Sequence, residues 1–107
     1  GEDVDEGSQL EKEAATVEVL NGTLTAGLAA DVTEALQQED LNVTHTGNAE
    51  RQDIEESLVI AHTDKPYTAQ YVARFLGLPQ SAIVQGSEPG AEYDISIILG
   101  TDYRPSE

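Results

Sequence analysis

The first regular pattern in the chain is an alternation of apolar and polar residues that begins at Thr16. Val17 and Val19 alternate with Glu18, which is typical of a β-strand with one buried face. Asn21-Gly22 then interrupts the pattern. The alternation predicts a first strand that starts at Thr16 and ends at the Asn21-Gly22 turn.

Apolar residues at helical spacing predict two amphipathic helices. The first covers residues 26–39, and its apolar stripe is expected to lie on the sheet. The second starts near Asp64, which can cap a helix, has Pro66 in its first turn, and ends at Gly77 and Pro79. The apolar positions are Leu28, Val32, Ala35 and Leu36 in the first helix, and Ala69, Val72, Ala73 and Leu76 in the second.

Four further segments have the length and composition of strands. Alternation over residues 41–46 predicts the second strand. The nearly unbroken apolar run Leu58–Ala61 predicts a third strand inside the sheet, covered on both faces. Residues 82–84 indicate a short strand, and residues 94–99 a strong final strand closed by Gly100.

The order β-α-β-β-α-(β)-β predicts an α+β fold, a small two-layer sandwich. We expect a ferredoxin-like, split β-α-β arrangement with both helices on one sheet face. A small three-layer parallel sheet is the alternative. Polar residues in the first two strands, Glu18, Thr44 and Thr46, favour two layers because an open sheet face tolerates them.

Length and composition indicate one domain with acidic ends. The chain has 107 residues, and we expect a flexible acidic linker over 1–15, a folded domain over 16–104 and a tail over 105–107. The core is expected to consist of Val, Ile, Leu and Ala, because the chain has one Phe and no Trp or Met. A first residue other than Met indicates a soluble part of a longer protein.

Charge and cysteine content narrow the classes of function. A formal net charge of −16 repels nucleic acid phosphates and anionic membrane surfaces. The absence of cysteine excludes disulfides and thiol chemistry, and no apolar run is long enough to cross a membrane. We therefore expect no nucleic acid partner and no membrane insertion by this fragment.

Residue patterns provide little support for catalysis. The Gly22–Gly27 loop joins a strand to a helix, where backbone N–H groups could hold an anion, but the residues after Gly27 match no phosphate-binding motif. His45 and His62 end two strands facing the same way, yet their spacing matches no metal motif. We predict no catalytic residue, no metal and no cofactor. A small phosphoryl- or metal-dependent enzyme is one alternative, and a structural or dimerisation domain is another.

Three aromatic residues of the second predicted helix lie four positions apart. Tyr67, Tyr71 and Phe75 therefore form one stripe along the helix. Such stripes usually pack against the rest of the fold, and an exposed binding ridge is the alternative.

Four segments together resemble the LytR C-terminal domain family over residues 16–103. They are VEVLNGT at 17–23, Gly27-Leu28-Ala29 at the start of the first helix, the Gly47-Asn48-Ala49 turn, and ILGTDY at 98–103. The order and spacing of these short motifs carry the resemblance. Family members typically lie outside the bacterial membrane and often follow a LytR-CpsA-Psr domain, which ligates glycopolymers to peptidoglycan.

The resemblance implies an extracytoplasmic accessory domain of a bacterial cell-envelope protein, without chemistry of its own. The expected partner is a cell-wall polymer or another envelope protein, and the sequence does not predict an oligomeric state. The binding residues implied at motif positions are Asn21, Gly22, Gly27, Asp102 and Tyr103. The scattered Arg51, Arg74 and Arg104 do not resemble the phosphate-binding arginines of the catalytic domain.

Overall fold

A computed structural model describes residues 14–63, 65–86 and 92–103. Most of the predicted linker and tail, and the predicted cap residue Asp64, lie outside the described residues. The described residues form five strands, two helices and one 3₁₀ turn. They are β1 (Thr16–Asn21), α1 (Leu28–Gln38), β2 (Asn42–Asn48), β3 (Leu58–Ala61), α2 (Pro66–Phe75), the 3₁₀ turn (Gln80–Ala82), β4 (Ile83–Gln85) and β5 (Ile95–Leu99).

The strands form one mixed sheet in the order β2-β1-β5-β3-β4, which confirms the α+β class and the predicted order of elements. The strand pairing differs from a split arrangement, because β1 lies directly beside β2 and β3 directly beside β4, each pair parallel. β5 joins the two units, parallel to β1 and antiparallel to β3. The most buried strand, β5, thus occupies the centre, where Ile95, Ile97 and Leu99 are fully buried.

Both helices cover the same face of the sheet, as predicted. Val17 and Val19 pair with Ile95 and Ile97 across β1 and β5, so these four side chains share one face. They form a single buried core with apolar residues of both helices. The helix residues in this core are Leu28, Ala29, Val32 and Leu36 of α1, and Ala69, Val72 and Ala73 of α2.

The third strand lies inside the sheet, but the prediction that both its faces are covered is wrong. β3 pairs with β4 on one side and β5 on the other. Val59 and Ala61 are buried beneath the helices, whereas Leu58 and Ile60 on the opposite face are only half-buried. An unbroken apolar run in this chain therefore does not mark a strand covered on both faces.

An irregularity in β2 overturns the predicted alternation of that strand. Val17 pairs with Val43 and Glu18 with His45, so Thr44 is an extra residue. Because one extra residue reverses the facing of all residues that follow it, His45 lies on the sheet face away from the helices. Thr46 lies instead on the helix side, where its hydroxyl bonds that of Thr33 in α1 at 2.7 Å.

Glycine conformation fixes two helix ends. Gly27 has φ of +80°, in the left-handed region, so α1 starts at Leu28 rather than at residue 26 as predicted. Pro66 opens α2, as expected. Gly77, with φ of +73°, follows α2, and Leu78 N–H donates to the Ala73 carbonyl at 2.8 Å in a Schellman-type closure.

Asp94 connects the starts of β1 and β5 to the loop after β3. Its carboxylate accepts from Thr16 N–H at 2.9 Å and from the Thr63 hydroxyl at 2.8 Å. Partial burial disfavours the charged form, but the hydrogen bonds from Thr16 and Thr63 and the charge of Lys65 outweigh this and lower the pKa of Asp94.

We expect Asp94→Asn to lower the free energy of unfolding at neutral pH by about 1–2 kcal/mol, because it weakens these bonds. The pKa of Asp94 in the folded state lies below its ordinary value of 3.8, so the carboxylate stabilises the fold above that pH. This stability is lost as the pH falls through the folded-state pKa. Urea unfolding from pH 7 to pH 2 should show the variant and parent converging in acid. A difference in unfolding free energy that stays constant with pH would contradict the assignment. Glu34→Gln, at an exposed position of α1, serves as the control.

Candidate functional site

The face of the sheet away from the helices carries two neighbouring rows of side chains. In one row, His45, Glu18 and Ser96 are paired across β2, β1 and β5. In the next row, Leu20 pairs with Ile98, and Ile98 pairs with Leu58. Ile60 and Val84 extend the apolar surface across β3 and β4. We call this surface the open face.

A shallow cavity of about 390 Å³ lies on the open face, within the size range of small-ligand pockets. One end is polar and the other is apolar. Its lining residues are Glu18, Leu20, Ile60, His62, Glu92, Tyr93, Ser96 and Ile98.

A short chain of hydrogen bonds runs across the polar end. The Ser96 hydroxyl donates to Glu18 Oε2 at 2.5 Å, and His62 Nε2 lies 2.9 Å from Ser96 Oγ. Because the only hydroxyl proton of Ser96 is used toward Glu18, the imidazole must be the donor to Ser96. The three side chains thus form one oriented array that ends in a carboxylate.

This array differs from the arrangement that activates a serine nucleophile. In a catalytic triad the imidazole accepts the serine proton, and the carboxylate bonds the other ring nitrogen. Here the imidazole donates to Ser96 and Glu18 binds the serine directly. The arrangement can instead offer a carboxylate that accepts hydrogen bonds from a ligand.

Two aromatic rings stand at the edge of the polar end. The rings of His45 and Tyr93 are stacked with centroids 5.8 Å apart. Partial burial and the nearby carboxylates of Glu92 and Glu18 raise the pKa of Tyr93, so its phenol stays neutral at physiological pH. The rim of the cavity therefore combines negative charge with a neutral phenol.

His45 and His62 face the same way, as the sequence predicted, but they lie on the open face because of the extra residue in β2, and their settings differ. His45 stacks on Tyr93, whereas His62 bonds Ser96. Within the described residues, no group of three or more His, Asp or Glu side chains could hold a metal ion. No helix in the same part of the chain is long and apolar enough to cross a membrane.

The motif residue Asn21 holds together the loop between β1 and α1. Its buried amide donates to the Thr25 carbonyl at 2.8 Å. Its oxygen accepts from the Thr23 N–H at 2.9 Å and from the Thr23 hydroxyl at 2.7 Å. The loop leaves Leu24 86% exposed at its tip. These side-chain hydrogen bonds of Asn21 are therefore internal to the loop.

The two motif glycines meet different requirements. A Cβ on Gly22 would lie 2.6 Å from Ile54 Cγ1 and 2.7 Å from the Leu99 carbonyl oxygen, so close packing requires glycine there. A Cβ on Gly27 would meet nothing within 4 Å, and its positive φ is the reason for glycine at the start of α1.

Asp102 and Tyr103 also contribute to the fold beyond the end of β5. Asp102 Oδ1 accepts from the Ser57 N–H at 2.9 Å and from its hydroxyl at 2.7 Å. Ser57 Oγ in turn accepts from Gly100 N–H at 2.8 Å. Tyr103 packs against the core. Asn21, Gly22, Asp102 and Tyr103 thus lie at or just beyond the carboxyl ends of β1 and β5, and their role in binding stays a prediction.

The aromatic stripe of α2 is partly exposed. Tyr67 is 50% exposed and Phe75 40% exposed, while Tyr71 is half-buried. Tyr71 stacks on Phe75 with centroids 6.1 Å apart and donates its hydroxyl proton to Glu39 at 2.7 Å. The stripe therefore combines packing with exposed rings.

Sequence reasoning did not bring together Glu18, His62 and Ser96. These residues come from three strands or strand ends, and only the pairing of β1 with β5 and of β5 with β3 makes them neighbours. The polar positions of Glu18 and Ser96 within otherwise apolar strands were the signal that an open face existed.

A family model described as the LytR cell envelope-related transcriptional attenuator matches residues 14–103. The chain belongs to the LytR C-terminal domain family. This family consists of non-catalytic C-terminal domains, and membership makes the chain an accessory domain of a bacterial cell-envelope protein.

A solved structure supports the fold of this LytR C-terminal domain. The crystal structure of the soluble domain of a conserved hypothetical secreted protein from Mycobacterium marinum matches with a TM-score of 0.61 and 23% identity. The match covers 97% of this chain and 74% of that chain. No curated protein matches the chain. At this level of identity the likeness shows the shared fold.

Proposed function

We propose that this LytR C-terminal domain acts outside the bacterial membrane as a non-catalytic interaction module that assists LytR-CpsA-Psr-type attachment of glycopolymers to the cell wall. The observation that carries the proposal is the open face, a sheet surface with an apolar row beside an acidic, hydrogen-bonded row. Family membership supports the envelope location. The domain would hold a cell-wall polymer or an envelope protein near the enzyme that performs the ligation.

Physical features of the described residues favour binding over chemistry. The serine on the open face has its proton directed to Glu18, away from an imidazole base. The formal charge of −16 disfavours nucleic acid and anionic membrane surfaces as partners. A ligand could contact a second surface beyond the carboxyl ends of β1 and β5. This surface consists of the family-motif segments 21–27 and 102–103.

A deletion in the bacterium that encodes this chain tests the proposed function. Residues 14–103 would be replaced by an inert flexible linker, and wall-bound and released glycopolymer would be measured. We expect wall-bound polymer to fall and released polymer to rise, while the amount of the remaining protein is unchanged. Unaltered polymer in both fractions would overturn the proposal.

The solution mass of the 107-residue chain, measured over a concentration series, addresses the alternative of a dimerisation domain. A mass that stays monomeric while the deletion releases polymer supports an interaction module. A concentration-dependent dimer whose disruption reproduces the deletion would support the structural alternative instead.

A further inference from the structure

We infer that the open face binds a basic amphipathic segment of a partner protein, an inference that rests on the proposed interaction function and names the chemistry of the partner. The apolar row of Leu20, Ile98 and Leu58 and the acidic group of Glu18 lie side by side on this face. A segment with one apolar face flanked by lysine or arginine matches both.

The apolar side chains of the open face are incompletely covered. Leu20, Ile60 and Ile98 are half-buried and line the cavity, and Val84 beyond them is 41% exposed. The opposite face of the same strands buries its aliphatic side chains under two helices. An apolar face of a third element would complete the burial of this row and gain the corresponding hydrophobic free energy.

The charge at the polar end of the cavity favours a bound segment of positive charge. Among the described residues that line the cavity, Glu18 and Glu92 carry carboxylates and none is lysine or arginine. Glu18 accepts one hydrogen bond through Oε2, from the Ser96 hydroxyl. A carboxylate offers about four acceptor positions, so capacity remains for a cationic donor. A charge-assisted hydrogen bond from lysine or arginine would use it.

Electrostatics argues against two other occupants of the face. A second copy of the chain would place Glu18 and Glu92 opposite like charges, and each copy carries a formal charge of −16. An anionic wall polymer would be repelled for the same reason. A neutral saccharide meets no such repulsion but leaves the apolar row of Leu20, Ile98 and Leu58 uncovered by hydrocarbon.

The test titrates the isotope-labelled chain with a synthetic peptide of leucine and lysine at helical amphipathic spacing. A matched peptide carrying glutamate in place of lysine is the ligand control. We expect the basic peptide to shift backbone signals of Glu18, Ile60, Ser96 and Ile98, and the acidic peptide to leave them unchanged. Calorimetry on the same pair of peptides gives the dissociation constants.

Paired variants separate the open face from diffuse attraction by an acidic protein. We expect Glu18→Gln and Ile98→Thr each to weaken binding of the basic peptide by about fivefold or more, because each removes a contact at the centre of the site. The controls are Glu34→Gln on exposed α1 and Leu24→Thr on the exposed loop, and each should change affinity by less than about twofold. Thermal unfolding of all four variants establishes that they fold.

Three outcomes would overturn the inference. Equal weakening by Glu18→Gln and Glu34→Gln would show non-specific attraction to net charge. Shifts at the open face with a neutral wall saccharide, and none with the basic peptide, would assign the face to carbohydrate. If the peptide fails while the deletion strain still releases polymer, the proposed function stands and only the nature of the partner is wrong.

Discussion

Gly100→Ala is expected to destabilise the domain strongly. A Cβ at this position would lie 2.8 Å from the backbone carbon atoms of Glu55 and Glu56 and the same distance from the Glu56 nitrogen. Backbone atoms cannot rotate away as a side chain can, so the segment must move. We expect a loss of about 3 kcal/mol or more in the free energy of unfolding, the upper range for overpacking. Because small domains have only about 5–15 kcal/mol in total, this loss is a large fraction of the stability, and urea denaturation should show a midpoint at a much lower urea concentration than that of the parent.

Gly77→Ala is the matched control for this substitution. Gly77 also lies outside regular structure, but a Cβ there would meet nothing within 4 Å. Only its positive φ penalises alanine, by about 1–2 kcal/mol. Gly100 does not have a positive φ, so only the close contact penalises alanine there. A loss at Gly100→Ala no larger than that at Gly77→Ala would contradict the expected cost of contact with the 55–56 backbone.

Asn21→Ala is expected to cost about 2–3 kcal/mol, because it removes one donor and two acceptor interactions of a buried amide. The bonds to Thr25 and Thr23 define the loop, so the loop amides should also exchange faster with solvent. Urea unfolding and hydrogen exchange measure the two effects. Asn42→Ala is the control, since Asn42 is exposed at the start of β2 and should change stability by about 0.5 kcal/mol or less.

The Asn21 result also bears on what the family motif does. A stability loss with fast loop exchange indicates that Asn21 serves the loop. An Asn21→Ala variant that is as stable as the parent would contradict this account and would favour a role of Asn21 in binding.

The elements of the fold were predictable because their signals are local. Val17 and Val19 alternate with Glu18, helix stripes recur at helical spacing, a glycine precedes α1 and another follows α2. These features depend on residues within a few positions of one another. The α+β class and the order of elements were predicted from them and are confirmed.

Strand order and the open face depend on distant pairing, which local patterns do not contain. Thr16 and Asp94 are 78 residues apart along the chain, yet they are joined by a hydrogen bond. Their strands, β1 and β5, are neighbours in the sheet. The extra residue Thr44 could not be recognised in an alternating run of polar residues, and it reversed the facing of His45 and Thr46. The array of Glu18, Ser96 and His62 followed only once these pairings were known.

The motif residues show a different limit of sequence reasoning. Asn21, Gly22, Gly27, Asp102 and Tyr103 mark the family, and the sequence suggested them as binding positions. In the structure Asn21 closes a loop, Gly22 allows close packing, and Asp102 binds Ser57. Recognition of a domain and recognition of its ligand can therefore depend on different residues.

Complementation of the deletion strain tests the central claim that the domain acts through its open face. One strain would carry the chain with Ile98→Lys on the open face, and another would carry Tyr67→Lys on the exposed side of α2, both at parental protein levels. We predict that Tyr67→Lys restores wall-bound glycopolymer and that Ile98→Lys leaves it as low as in the deletion. Full restoration by Ile98→Lys would contradict the claim.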